Sequence, residues 1–122
     1  MKLLKNQQGF TLIELMVVIV IIGVLLLVSL PIYNGVQDHG KELADRMNAR
    51  NLNQATMLWE IETGQTAASY FANNNDASRL MEVLTVGADG KGPWMSEEPV
   101  DPWGDNRSYD IQGGKWQPLG KV

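Results

Sequence analysis

The chain has 122 residues, a formal net charge of −4, no cysteine and one histidine, His39. The missing cysteines exclude a disulfide scaffold, a thiol nucleophile and a thiolate metal site, and a lone histidine excludes a multi-histidine metal centre. The length holds one domain, and the acidic balance argues against a nucleic-acid binder, which needs a basic face to displace counterions from phosphates. The opening segment, Met1 to Gly9, carries Lys2 and Lys5 and no acid. From Leu15 to Tyr33 there follow 19 residues without a charged side chain. About 20 apolar residues in a helix cross a bilayer core. Helices of soluble domains keep a polar face, and this segment has none, so it reads as a membrane-competent helix. A basic head before an apolar run also suits a secretory signal peptide, whose removal needs paired small residues just after the run. The residues there, Leu27-Val-Ser-Leu-Pro-Ile-Tyr-Asn34, offer no such pair. The run is therefore expected to remain in the mature chain, with the lysines favouring a cytoplasmic N-terminus.

Glu14 breaks the apolar pattern near its start. Two readings stand side by side. Thr11-x-x-Glu14 matches a capping box, in which the two side chains satisfy free N–H groups of a helix's first turn. A carboxylate at the edge of a membrane helix is also a functional candidate in its own right.

The stretch Gly9-Phe-Thr-Leu-Ile-Glu-Leu-Met-Val-Val, with its basic leader and unbroken apolar run, resembles the class III signal of type IV prepilins and type II secretion pseudopilins. The resemblance covers residues 1 to about 35. It implies cleavage between Gly9 and Phe10 by the prepilin peptidase, N-methylation of Phe10, an assembly role for Glu14 and a helix kink at Pro31. Cleavage would remove both leader lysines, leaving 8 basic against 14 acidic residues and a net charge of −6. Glu14 would then be the nearest acid to a new amine. Buried charges must be paired, and the resemblance implies a bond from Glu14 of one subunit to the Phe10 amine of its neighbour.

Beyond Pro31 helical spacing continues, weakened at Asn34-Gly35 and Gly40. Leu43, Ala44, Met47, Ala55, Leu58 and Ile61 are expected on one apolar face, with Thr63-Gly64 as the stop. Glu42 and Arg46 form an i,i+4 pair in the favourable order. Gly64 to Asn75 reads as a loop holding Tyr70-Phe71. Asp76 reads as the N-cap of a short helix to Leu84, with Leu80, Met81 and Leu84 facing in. Ser108 to Gln112 and Lys115 to Gln117 flank Gly113-Gly114, a hairpin signature, with a further strand near Pro93 to Ser96. Residues 64–122 are too few to fold well alone, so the 43–63 helix should complete their core, with the tryptophans Trp94, Trp103 and Trp116 as filler. The predicted organisation is a leader at 1–9, a membrane or filament-core helix at 10–33, an amphipathic helix at 34–63 and a small globular region at 64–122. The fold class is α+β: a long N-terminal helix packed on a small region with a short helix and an antiparallel hairpin or small sheet.

The run Asp101, Pro102, Trp103 and Gly104, with Tyr109 following, is similar to a motif of major type II secretion pseudopilins. Asp-Pro and Trp-Gly are turn formers, so the motif also suits a purely structural turn. In the family a calcium site lies in a loop after the motif. Here the chain ends 18 residues after Gly104, and Gly87-Ala-Asp-Gly90 precedes the motif instead. No metal or other cofactor is therefore expected; Asp89, Glu97, Asp101, Asp105 and Asp110 are the oxygen donors calcium would draw on. No phosphate loop, metal cluster or catalytic triad appears, so no enzyme is expected. The resemblance implies a structural subunit of a type IV pilus or type II secretion pseudopilus. It would sit in the inner membrane as a single-pass protein and then pass into a periplasmic or extracellular filament. Its partners would be copies of itself, the prepilin peptidase, an inner-membrane assembly platform, minor pilins and, before assembly, lipid. No direct nucleic-acid contact is expected. The alternative is a bitopic accessory or sensor protein that never polymerises.

Overall fold

The computed structural model describes residues 9–74 and 76–121. The leader lysines Lys2 and Lys5 lie outside the described residues. Five elements follow in order: α1 (Leu12–Thr63), α2 (Ala67–Asn74), α3 (Ala77–Val86), β1 (Asp110–Gln112) and β2 (Lys115–Gln117). The chain divides after Asp38 into two compact units.

The first unit is the N-terminal part of α1. Thr11 caps it, as the capping box requires. Glu14 N–H donates to Thr11 Oγ1 at 3.2 Å, and Thr11 N–H donates to Glu14 Oε2 at 3.1 Å. Every residue from Gly9 to Gln37 is exposed. The helix is long and apolar enough to cross a membrane. The helix continues through Pro31. Pro31 has no N–H to offer the preceding turn, and Ser29 Oγ donates to the Leu25 carbonyl at 2.7 Å in that turn.

The second unit, residues 39–122, is the α+β region, and the distal part of α1 supplies one wall of it. Leu52, Ala55 and Trp59 pack with Ala67, Leu80, Met81, Leu84, Tyr109 and Trp116 in one core. This part of the helix thus lends residues to the core, through a face other than the expected one. The buried stripe is Asp45, Ala49, Leu52, Ala55, Thr56 and Trp59. Of the six residues expected there, Leu43, Ala44, Met47, Leu58 and Ile61 are exposed, and Ala55 alone is buried. Two apolar stripes run along this helix, and polar Asp45 and Thr56 disguise the one that is buried.

The stretch expected as a loop, Gly64 to Asn75, is not a plain loop over residues 64–74, and Asn75 lies outside the described residues. Thr66 opens α2, with Ser69 N–H donating to Thr66 Oγ1 and Thr66 N–H to Ser69 Oγ. The stalk helix assists: Glu60 Oε1 accepts the Ala67 N–H at 2.7 Å, a carboxylate at a helix N-terminus. Tyr70 then meets Trp59 edge-on, centroids 5.6 Å apart. The alanines favour helix, and the tertiary cap and aromatic contact overcome its short length.

α3 follows the expected pattern. Asp76 accepts from Ser78 N–H at 2.9 Å and Ser78 Oγ–H at 2.6 Å. Those side-chain and backbone donors hold the Asp76 carboxyl below its usual range. Leu80, Met81 and Leu84 are buried. No third strand forms at 93–96 among the described residues. Instead Trp94 and Met95 both donate their N–H groups to the Leu84 carbonyl, after a cis Gly92–Pro93 peptide. The segment thus serves the end of α3 rather than a sheet.

The hairpin pairs Asp110 with Gln117, Ile111 with Trp116 and Gln112 with Lys115. Gly113 and Gly114 take φ of 60° and 78°. A two-residue turn of this hand matches the strand twist and favours residues without a Cβ. The register turns Trp116 into the core.

Candidate functional site

Two separate places carry the sequence-predicted residues, one in each unit. In the first, Gly9 is exposed, and a Cβ added there would meet nothing within 4 Å among the described residues. Phe10 is 94 % exposed. Glu14 lies one turn further on and, among the described residues, is engaged with Thr11. The arrangement therefore presents an accessible Gly9–Phe10 bond, an unsheltered aromatic side chain and a carboxylate on a helix with no core of its own.

In the second unit, Asp101, Pro102, Trp103 and Gly104 form a tight turn. Gly104 N–H donates to the Asp101 carbonyl at 3.1 Å, and Trp103 N–H donates to Asp101 Oδ1 at 2.9 Å. Asp101 and Pro102 hold the turn's first two positions. The Pro102 ring presets the backbone for the second position and brings no N–H of its own, so its part in the motif is turn geometry. Gly104 takes φ of 82° at the turn's end. Asp101 and Tyr109 are buried, Pro102 and Trp103 half-buried, and Gly104 exposed.

The Asp101 carboxylate also accepts from Arg107: from Nε at 2.9 Å, from Nη2 at 3.3 Å and from the backbone N–H at 3.3 Å. Burial alone would raise the Asp101 pKa, but these Arg107 and Trp103 donors outweigh it and hold the carboxyl below the usual carboxylate range. Arg107 Nη1 donates further to the Leu119 carbonyl.

Tyr109 ties this loop to α1. Its hydroxyl donates to Asp45 Oδ1 at 3.0 Å and accepts from Asn48 Nδ2 at 3.0 Å. Asn48 Nδ2 also donates to the Val100 carbonyl at 3.1 Å. Asp45 accepts the N–H groups of Leu119 and Gly120 at 2.9 and 2.8 Å. Burial first, then the Asp45 carboxylate, push the Tyr109 hydroxyl up to about 12 against the Asn48 donor. Trp103 lies beneath the Lys41 ammonium, 5.8 Å from the ring centroid, and its Nε1 is buried with no partner among the described residues.

Asp45, Asn48 and Arg107 organise the motif and were not singled out by sequence reasoning. For the two on α1 the signal was present: Asp45, Asn48, Leu52 and Trp59 follow helical spacing, so two polar residues continue a core stripe.

The candidate calcium donors do not converge. The Asp101 oxygens are engaged by Arg107 and Trp103, and Asp110 Oδ1 accepts from Ile111 N–H. Among the described residues no three carboxylate or imidazole groups come close enough to hold a metal ion.

Comparison with known proteins gives this geometry a family. The prokaryotic N-terminal methylation motif matches residues 4–30, a span that includes Gly9, Phe10 and Glu14. Type II secretion system core protein G of Escherichia coli K12 is 32 % identical over 114 residues, 87 % of this chain and 73 % of that protein. Its counterpart from Pseudomonas aeruginosa is 27 % identical over 115 residues, 91 % of this chain and 78 % of that one. A fimbrial protein of Moraxella nonliquefaciens is 32 % identical over 101 residues, 79 % of this chain and 59 % of that one. No solved structure matches the chain. The capped apolar helix, the methylation motif and these relatives together make the chain a member of the type IV pilin and type II secretion pseudopilin family.

Proposed function

We propose that this filament subunit is built into a type II secretion pseudopilus. The observation that carries the reading is the first unit. A capping box opens a helix whose aliphatic surface from Leu12 to Val36 is exposed, in register with the methylation motif. Burying one such side chain contributes about 1.5–3 kcal/mol, so the helix needs lipid first and other subunits later. The prepilin peptidase cuts between Gly9 and Phe10 on the cytoplasmic side and methylates Phe10. The chain then waits as a single-pass inner-membrane protein until an assembly platform and minor pilins incorporate it. The turn at Asp101 to Gly104 favours the secretion filament over a surface pilus. The fimbrial relative supports the second reading, a pilus, and the two separate by whether deletion of the gene abolishes secretion or surface filaments.

In this mechanism Glu14 has two successive partners. In the free subunit it caps its own helix through Thr11. In the filament it also meets the Phe10 amine of a neighbour, and both charges lie among aliphatic side chains where an unpaired charge is costly. Pro31 supplies the place where the helix bends as subunits pack. The motif region works without calcium, because Arg107 supplies the positive charge that closes the loop on Asp101. The protein has no catalytic role in this scheme.

The test compares Glu14→Ala with wild type for membrane-fraction level and sheared-filament yield. Insertion should be unimpaired, because removing a carboxylate makes the span more apolar. Assembly should fall sharply, since breaking a buried pair costs roughly 3–5 kcal/mol at every subunit. Normal filaments from Glu14→Ala would leave Glu14 as a helix cap alone.

A further inference from the structure

An open groove of about 410 Å³ runs between α1 and the end of the hairpin, lined by Arg46, Arg50, Gln54 and Met57 on the helix and by Trp116 and Pro118 opposite. We propose that this groove is a subunit–subunit contact that receives the Glu97-Glu98 segment of a second copy of this chain. The proposal rests on the filament reading above and adds to it a specific lateral contact.

The polar groups around the groove decide what it can take. Strand β2 would ordinarily offer an edge for another strand. Asn53 closes that edge: its Nδ2 donates to the Trp116 carbonyl at 3.1 Å, and its Oδ1 accepts the Trp116 N–H at 2.9 Å. The Trp116 indole N–H is spent on Thr56 Oγ1 at 2.8 Å. Backbone pairing is therefore closed at Trp116, and the guanidinium groups remain. Arg46 is held by Glu42 at 2.6 Å, with both side chains at least half exposed, a weak hold. Arg50 makes no ion pair among the described residues and is exposed. A guanidinium presents a planar fork of donors that matches a carboxylate. The groove therefore suits a segment that is acidic and extended.

Such a segment lies elsewhere on the same chain. Glu97 and Glu98 are adjacent, exposed and make no ion pair among the described residues. Glu98 precedes Pro99, which restrains it to an extended backbone. Two unlike patches that complement each other give a heterologous contact, and heterologous contacts that do not close build open helical arrays. A groove meeting itself would bring arginines together and end at a dimer. In an acidic chain this basic groove is also where another copy approaches without repulsion.

The experiment uses the full chain in its own host. Because the chain has no cysteine, Gln54→Cys with Glu97→Cys gives a background-free disulfide probe that leaves Arg50 and Glu98 in place. Oxidation of sheared filaments should convert the double variant into a ladder of dimers and larger species, while each single variant stays monomeric. Separately, Arg50→Glu and Glu98→Arg should each reduce filament yield roughly tenfold, and combining them should restore most of it. Normal wild-type filaments with no ladder, or a charge-reversed pair no better than its single variants, would overturn the groove contact alone. A wild-type chain that forms no filaments would overturn the filament reading and this contact with it.

Discussion

Asp45 brings a carboxylate into the core and receives three donors there: the Tyr109 hydroxyl and the Leu119 and Gly120 N–H groups. A buried charge is tolerated only when its lone pairs are filled, and here the filling groups come from the motif loop and the tail, so one residue fastens both to the stalk. Asp101 does the same within its loop. The titration of Asp101 and Tyr109 has a definite sign. The Asp101 pKa is lowered on folding, so its contribution is present above the unfolded value near 4 and is lost as pH falls through the folded value. Tyr109 is raised to about 12 by burial and by Asp45. Its contribution is present below the unfolded value of about 10 and is lost as pH rises through the folded value. Stability of the second unit in urea should therefore be flat from about pH 5 to 9 and fall at both ends. Tyr109→Phe should flatten the alkaline limb. An alkaline limb unchanged in that variant would place its origin elsewhere.

At the scale of elements, the distal part of α1 serves two surfaces. Leu52 is fully buried and Leu58 is 57 % exposed, although both are leucines on one helix. Leu52→Ala should cost about 2–5 kcal/mol by leaving a cavity, whereas Leu58→Ala should change stability by no more than about 0.5 kcal/mol. Denaturant melts of the two variants check this, and a larger loss for Leu58→Ala than for Leu52→Ala would mean that the expected face, not the observed one, is packed. The two leucines also mark how far periodicity reaches. The apolar run, the Thr11–Glu14 box, the Asp76 cap and the Gly113-Gly114 hairpin were legible because each is local chemistry. The choice between two apolar stripes was not, because it depends on Tyr109, Leu119 and Gly120 arriving from far along the chain to satisfy Asp45. α2 was missed for a similar reason: the Ala67 N–H is capped by Glu60, seven residues upstream on another helix. The motif's role was half legible. Asp101-Pro102 and Trp103-Gly104 announce a turn, but the Arg107 that neutralises Asp101 carries no sequence signature.

At the scale of the whole molecule, one chain carries both a capped, exposed apolar helix and a small region with its own core. The region's loop is closed by an internal cation, Arg107, so added calcium and added chelator should leave the melting temperature of the second unit equal. A calcium-dependent rise would restore a metal site to the acidic loops. Residues 9–37, most of them apolar, are all exposed, and filament assembly is what would cover them. In the mechanism proposed above, assembly depends on the leader being removed at one bond, since only then does a free amine stand one turn before Glu14. The most direct measurement is the intact mass of the protein in sheared filaments from its own host. The expected mass is that of a chain beginning at Phe10 and carrying one added methyl group. A chain beginning at Met1, or cut after the apolar run beyond residue 29, would contradict this mechanism.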